Sequence, residues 1–303
     1  MSDSTVISDF SSIPILDYSL LDSPSQRPKF IAQLQHALIN IGFLYLSNHP
    51  VSTADIDSLI QYIPKLFALP QEAKDKIRMA NSEHFLGYSR LGAELTKGKV
   101  DQREQFDFAT RHVCRWKEGD PEYYRLWGPS QVCMFRCQFR TCICSLYTTQ
   151  WPDEDLFPGF RDTMERYLNQ VQDLSYKFSS LLAEAFGLSP NGLAHFYDTD
   201  ELMQHRSKIV RYPVIKDGDD DQGVGPHYDA GFLTFVESLS AVSHFHTYLP
   251  RRFFSSCKHR HIVDCKSRIF QESGLTHHPF RALSLSTSEK VVSALPCNKI
   301  STP

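Results

Sequence analysis

Lys208-Ile-Val-Arg-Tyr-Pro-Val214 and, after an acidic turn, Gly225-Pro-His-Tyr-Asp-Ala-Gly-Phe-Leu-Thr-Phe-Val236 are the stretches on which the fold turns. Both are rich in β-branched and aromatic residues and bounded by turn formers, which predicts two strands joined across Asp217–Asp221. His227 and Asp229 stand two residues apart where the second strand begins. Side chains at i and i+2 of an extended segment point the same way, so the two can converge on one metal ion. A neutral imidazole and a carboxylate begin the two-His, one-carboxylate facial triad, which suits iron(II) and leaves positions open for other ligands. Alone, a His-x-Asp triplet is most often a pair of surface residues. Its weight comes from what surrounds it.

Upstream the pattern is mostly helical. Phe30, Leu34, Leu38 and Ile41 recur at three- and four-residue steps and stop at Gly42, which predicts a helix and its end. Strands are expected over residues 13–18 and from Phe43 to Ser47. A second helix is expected from Ser52, whose hydroxyl can cap it, with Asp55 three residues on, and a third from Pro70. Residues 85–110 carry Gly87, Gly92 and Gly98 and little helical period, which reads as loop and short strand of the kind that lines a pocket. The longest helix is expected from Phe160 to Gly187, with Met164, Leu168, Val171, Leu174, Phe178, Leu181 and Ala185 in one stripe. Such a stripe is core packing. Helices first and strands around a site afterwards predict an α+β chain with an antiparallel sheet.

The runs IPILDY, IGFLYLSNHPV, LPQEAKDK and LGYSRLGAE, followed by KIVRYPV and GPHYDAGFLTFV, resemble in order and spacing the isopenicillin N synthase-like iron(II)- and 2-oxoglutarate-dependent dioxygenases. The likeness covers residues 10–131, matching the non-haem dioxygenase N-terminal region, and 151–236, matching the long helix and first half of the oxygenase jelly-roll. It implies a helical N-terminal region packed on a double-stranded β-helix, or jelly-roll, core. It also implies that His227 and Asp229 hold Fe(II), and that Tyr212 contacts a carboxylate of the co-substrate or substrate. The implied chemistry is oxidative decarboxylation of 2-oxoglutarate by O2, coupled to hydroxylation, desaturation or cyclisation of a small molecule, as in specialised metabolism.

Two segments depart from the family pattern. Residues 132–150 hold Cys133, Cys137, Cys142 and Cys144 without the paired spacing of a zinc site. They read as an atypical insert, and because every Val codon begins GT and one Gln codon ends in AG, an in-frame retained intron from Val132 to Gln150 fits. After Val236 the resemblance calls for a second histidine and then an Arg-x-Ser pair that grips 2-oxoglutarate. The tail 237–303 has one glycine, Gly274, and no Gly-Asp turn, while Arg281-Ala-Leu-Ser284 is one residue too long. His277 or His278 falls near the distance at which the missing ligand belongs, yet six histidines lie in this tail. The jelly-roll is therefore expected to be incomplete after residue 236 and the tail poorly ordered. A catalytically inactive family member, lacking the third ligand and the clamp, is the alternative to an active enzyme.

Bulk properties narrow the classes further. A hydrophobic fraction of 41% and a charged fraction of 22% are ordinary for a globular chain, and 303 residues suffice for one substantial core. No run of 18 apolar residues occurs, so no membrane span is expected, and the start lacks the pattern of a secretory signal. The net charge of −3 offers no footing for nucleic acid. A cytoplasmic monomer acting on a small molecule is the expectation. That average hides a split: nine Lys/Arg against four Asp/Glu follow residue 236, leaving the rest of the chain at about −8.

Overall fold

A computed structural model describes residues 13–129, 131–133, 147–194, 197, 203–213, 223–225, 232–239, 253–257 and 281–287. Strand β1 (Ile15–Asp17) leads into helix α1 (Arg27–Asn40), strand β2 (Phe43–Ser47), helix α2 (Thr53–Ala68) and the short helix α3 (Gln71–Lys76). Each begins where local chemistry allows it. Ser52 caps α2 by accepting the Asp55 N–H at 3.3 Å, and Pro28 occupies the first turn of α1, where a missing N–H costs nothing.

Strands β3 (Gly87–Ser89), β4 (Leu95–Thr96), β5 (Lys99–Val100) and β6 (Glu104–Ala109) follow. The expectation of loop and short strand over residues 85–110 undervalued β6, which is buried along its whole length. Next come β7 (Gln131–Cys133) and β8 (Tyr147–Thr149), which pair with each other in a separate two-stranded sheet, bringing Gln131 opposite Thr149. Helix α4 (Phe160–Ala185) matches the long apolar stripe, and every residue of that stripe is buried. Gly159, at φ 76°, turns the chain into α4 in a conformation that suits glycine.

Strands β9 (His205–Arg211), β10 (Leu233–Leu239), β11 (Phe253–Cys257) and β12 (Arg281–Thr287) complete an eight-stranded sheet in the order β1-β2-β11-β10-β12-β9-β6-β3. All its pairs are antiparallel except β1–β2. The core lies between one face of this sheet and the helices: Phe106, Phe108, Ile209, Leu233 and Phe235 pack against Phe160, Phe178 and their neighbours on α1, α2 and α4. Trp151 stacks on Phe108 at 4.5 Å, so the residue just after the insert is buried in the same core.

The core expected to be incomplete after residue 236 has strand pairing past that point among the described residues. β10 continues to Leu239, β11 pairs with β10 and β2, and β12 lies between β10 and β9. The physical reason is visible in Leu283-Ser-Leu-Ser286, which alternates apolar and small polar residues with the period of a strand. Tail positions such as His277 and His278 lie outside the described residues.

Candidate functional site

Alternation divides the sheet into two faces. Phe106 and Phe108 of β6, His205 and Ile209 of β9, and Phe235 of β10 turn toward the helices. Residues between them in sequence turn the other way. Register sets Asp107 of β6 opposite Lys208 of β9, and their side chains form an ion pair at 3.6 Å on that second face. Gln105, two residues from Asp107, donates through Nε2 to Asp107 Oδ2 at 2.7 Å and to Glu94 Oε1 at 2.9 Å.

Glu94 extends the network. Its Oε2 accepts from Arg103 Nη2 at 2.5 Å, and the same guanidinium lies 3.3 Å from Asp101 Oδ2. Asp101 is fully buried; Thr96 donates to its Oδ2 at 2.7 Å and the Gly225 N–H to its Oδ1 at 3.2 Å. Arg103 also makes a hydrogen-bonding contact with the Tyr212 hydroxyl. Burial pushes the Tyr212 phenol above its ordinary value, against the opposing pull of Arg103, so the hydroxyl keeps its proton at neutral pH. Burial likewise raises the Asp107 carboxyl, with Lys208 and Arg206 opposing. Arg206 is spent on structure, donating to the carbonyls of His84, Leu126 and Phe85.

The segment that leads into the His-x-Asp motif is thereby held at two points. Gly225, two residues before His227, is tied to Asp101. A Cβ on Gly223 would come within 2.9 Å of the Tyr212 ring, so only glycine lets this segment lie against the tyrosine. Tyr212 itself follows directly on β9. His227 and Asp229 lie outside the described residues, and among the described residues no group of three or more His, Cys, Asp or Glu side chains is arranged to hold a metal ion.

Sequence reasoning named Tyr212 but missed Glu94, Asp101, Arg103, Gln105 and Asp107. Their signal was available in part, because Gln105-Phe-Asp-Phe108 alternates polar and apolar residues as a strand with one wet face does. The Asp101–Gly225 contact spans 124 residues and has no local signature. No described helix is long and apolar enough to cross a membrane.

Comparison with known proteins bears on this geometry. The sequence model of the family described as non-haem dioxygenase in morphine synthesis, N-terminal, matches residues 13–133. A 2-oxoglutarate-dependent dioxygenase of Dothideomycetidae sp. is 38% identical over 234 residues, 76% of this chain and 57% of the relative. Another, from Gibberella zeae, is 34% identical over 235 residues, 76% and 55% of the two chains. The chain thus spans a little over half the length of these curated relatives. Among solved structures, a full-length Neurospora crassa protein in complex with alpha-KG superposes with a TM-score of 0.63 at 19% identity, covering 96% of this chain and 89% of the other. The dioxygenase for auxin oxidation of rice superposes with a TM-score of 0.56 at 17% identity, covering 91% and 82% of the two chains. These likenesses are of fold, the jelly-roll of the 2-oxoglutarate- and Fe(II)-dependent oxygenases.

Proposed function

The chain belongs to the iron(II)- and 2-oxoglutarate-dependent dioxygenase family, and from that premise we propose that it is an oxidoreductase acting on a small molecule in specialised metabolism. His227 and Asp229 are the residues that would hold Fe(II), and Tyr212 would meet a carboxylate of 2-oxoglutarate or substrate. An imidazole–carboxylate donor pair fits iron(II), and a protonated phenol held against Gly223 fits a carboxylate acceptor. When bound, iron(II), 2-oxoglutarate and O2 supply the oxidation of a C–H bond.

The chain's own residues have narrower tasks. Tyr212 donates a hydrogen bond and is oriented by Arg103. Asp101 anchors the segment before His227 through the Gly225 N–H. Asp107, Gln105 and Lys208 present a polar wall on the same face of the sheet, able to orient a substrate bearing hydrogen-bonding groups. The observation that carries the proposal is the anchoring of the His-x-Asp approach, through Gly223 and Gly225, against Tyr212 and Asp101. Hydroxylation, desaturation and cyclisation are all compatible with it, and a monomer suffices.

A second reading has its own support: the tail carries neither a Gly-Asp turn nor an Arg-x-Ser triplet, so the clamp on 2-oxoglutarate is missing from its family place and the tail histidines lack the family's context for a third ligand. On that reading the chain is a catalytically inactive member, and residues 132–150 and much of 237–303 are departures from the ancestral sequence. Two measurements test both readings. Iron(II) titration of the chain and of Asp229→Ala and His227→Ala should show binding that each substitution weakens at least tenfold; unchanged affinity in both variants removes the site assignment. Succinate release from 2-oxoglutarate then separates an enzyme from an inactive relative.

A further inference from the structure

A cavity of about 440 Å³ opens on the helix-facing side of the sheet, lined by Gln71, Lys74, Tyr88, Arg90, Leu91, Glu104, Arg211 and Pro213. Glu104 and Arg211 face each other across β6 and β9, on the face that carries Phe106 and Phe108 toward the helices. Tyr212 belongs to the opposite face. This cavity and the Tyr212 side chain therefore lie on opposite faces of the sheet.

Its lining is unbalanced in charge. Glu104 is almost completely buried and takes three partners: the Tyr88 hydroxyl donates to Oε2 at 2.7 Å, Lys74 Nζ lies 3.6 Å from Oε2, and Arg211 Nη2 reaches Oε1. Arg90 forks onto Asp75 at 2.8 and 2.6 Å at the rim. Three cations, Lys74, Arg90 and Arg211, thus meet two carboxylates, leaving one positive charge. The donors are not exhausted either, since the buried Nε of Arg211 has no hydrogen-bond partner among the described residues. Lys74 is almost completely buried and gives one proton to the Phe67 carbonyl at 3.2 Å. A cation so placed is costly unless anionic charge stands by. The remaining wall is Gln71, which donates to Asp75 at 3.0 Å, and an apolar surface made by the Tyr88 ring under Lys74, Leu91 and Pro213.

We propose that this cavity is a second small-molecule site, which binds an organic monocarboxylate with its carboxylate on Arg211 and Lys74 and its apolar body against Tyr88, Leu91 and Pro213. One residual positive charge matches one carboxylate. The planar edge of a guanidinium matches its two oxygens, and the volume lies within the range of small-ligand pockets. The assignment does not rest on iron chemistry.

Isothermal titration of the full chain in the presence of a chelator tests it, with cinnamate as the probe and inorganic phosphate in a parallel arm. Saturable 1:1 binding of cinnamate, tighter than that of phosphate, is the expected result. Leu91 is half-exposed at the mouth of the cavity, so Leu91→Trp should fill it without touching a charge. That substitution should weaken cinnamate at least tenfold and leave the ligand-free melting temperature unchanged. Lys74→Met should weaken it as strongly, whereas Tyr212→Phe should have no effect. Absence of saturable binding, indifference to Leu91→Trp, or loss of binding in Tyr212→Phe would each overturn the proposal. Tighter binding of phosphate would overturn the choice of a carboxylate with an apolar body.

Discussion

His205 shows how one residue couples the fold to pH. It is fully buried between β9 and α4, with its ring edge-on to Tyr176 and Nε2 3.3 Å from the Tyr176 hydroxyl. Burial drives its pKa down from 6.5 to about 4. In the unfolded chain it takes up a proton below about pH 6.5, but the folded chain resists until about pH 4. The unfolded state therefore binds more protons in that window, and stability falls as pH falls through it. A tenfold change in proton affinity is worth about 1.4 kcal/mol, so the loss between pH 6.5 and 4 is about 3 kcal/mol. Urea unfolding of the wild type and of His205→Gln at both pH values checks this: the variant should lose markedly less stability on acidification, and equal losses would assign the effect to other groups.

Among the elements, the junction of α3 with β3 is tightly specified. Gly87 has φ +110°, and a Cβ there would meet the Ile77 carbonyl oxygen at 2.3 Å and Gln150 Oε1 at 2.5 Å. The Tyr88 N–H donates to that same carbonyl at 2.8 Å, so backbone lies on backbone where α3 ends. Neither the conformation nor the spacing tolerates a side chain. Gly87→Ala should cost about 1–3 kcal/mol from the backbone conformation alone. The steric clash adds to this, and the change reads out as a lower urea midpoint at an unchanged slope. A neutral outcome would mean that β3 can separate from α3. The glycine could be picked out from sequence as a loop former. Its partner could not, because Ile77 looks like any apolar residue at a helix end.

At the scale of the molecule, the tail holds the sheet together. Among the described strands, β12 is the only link between β10 and β9, and β11 the only link between β10 and β2. Ending the chain after Leu239 leaves β10 with neither of these partners and splits the sheet into β1-β2 and β9-β6-β3. Three sets of unpaired strand edges then face solvent, which favours association between chains. A chain truncated there should lose the cooperative thermal transition and elute as aggregate in size-exclusion chromatography. A monomer that melts as sharply as the full chain would show that β11 and β12 contribute nothing to stability.

Local periodicity carried the helices: the stripe from Met164 to Ala185 names the buried face of α4 because a helix repeats its own geometry every 3.6 residues. The His227–Asp229 pair was brought forward by its spacing together with the family resemblance of its surroundings, and Tyr212 by that resemblance at the Arg-Tyr-Pro run. Strand partners were another matter. The alternation in Leu283-Ser-Leu-Ser286 is compatible with any neighbour, and only the assembled sheet puts β12 between β9 and β10. The ties that position the site, Arg103 to Tyr212 and Asp101 to the Gly225 N–H, join residues more than a hundred positions apart. Such contacts depend on which strands lie side by side and in what register. No periodicity in the chain encodes that, so only tertiary structure decided them.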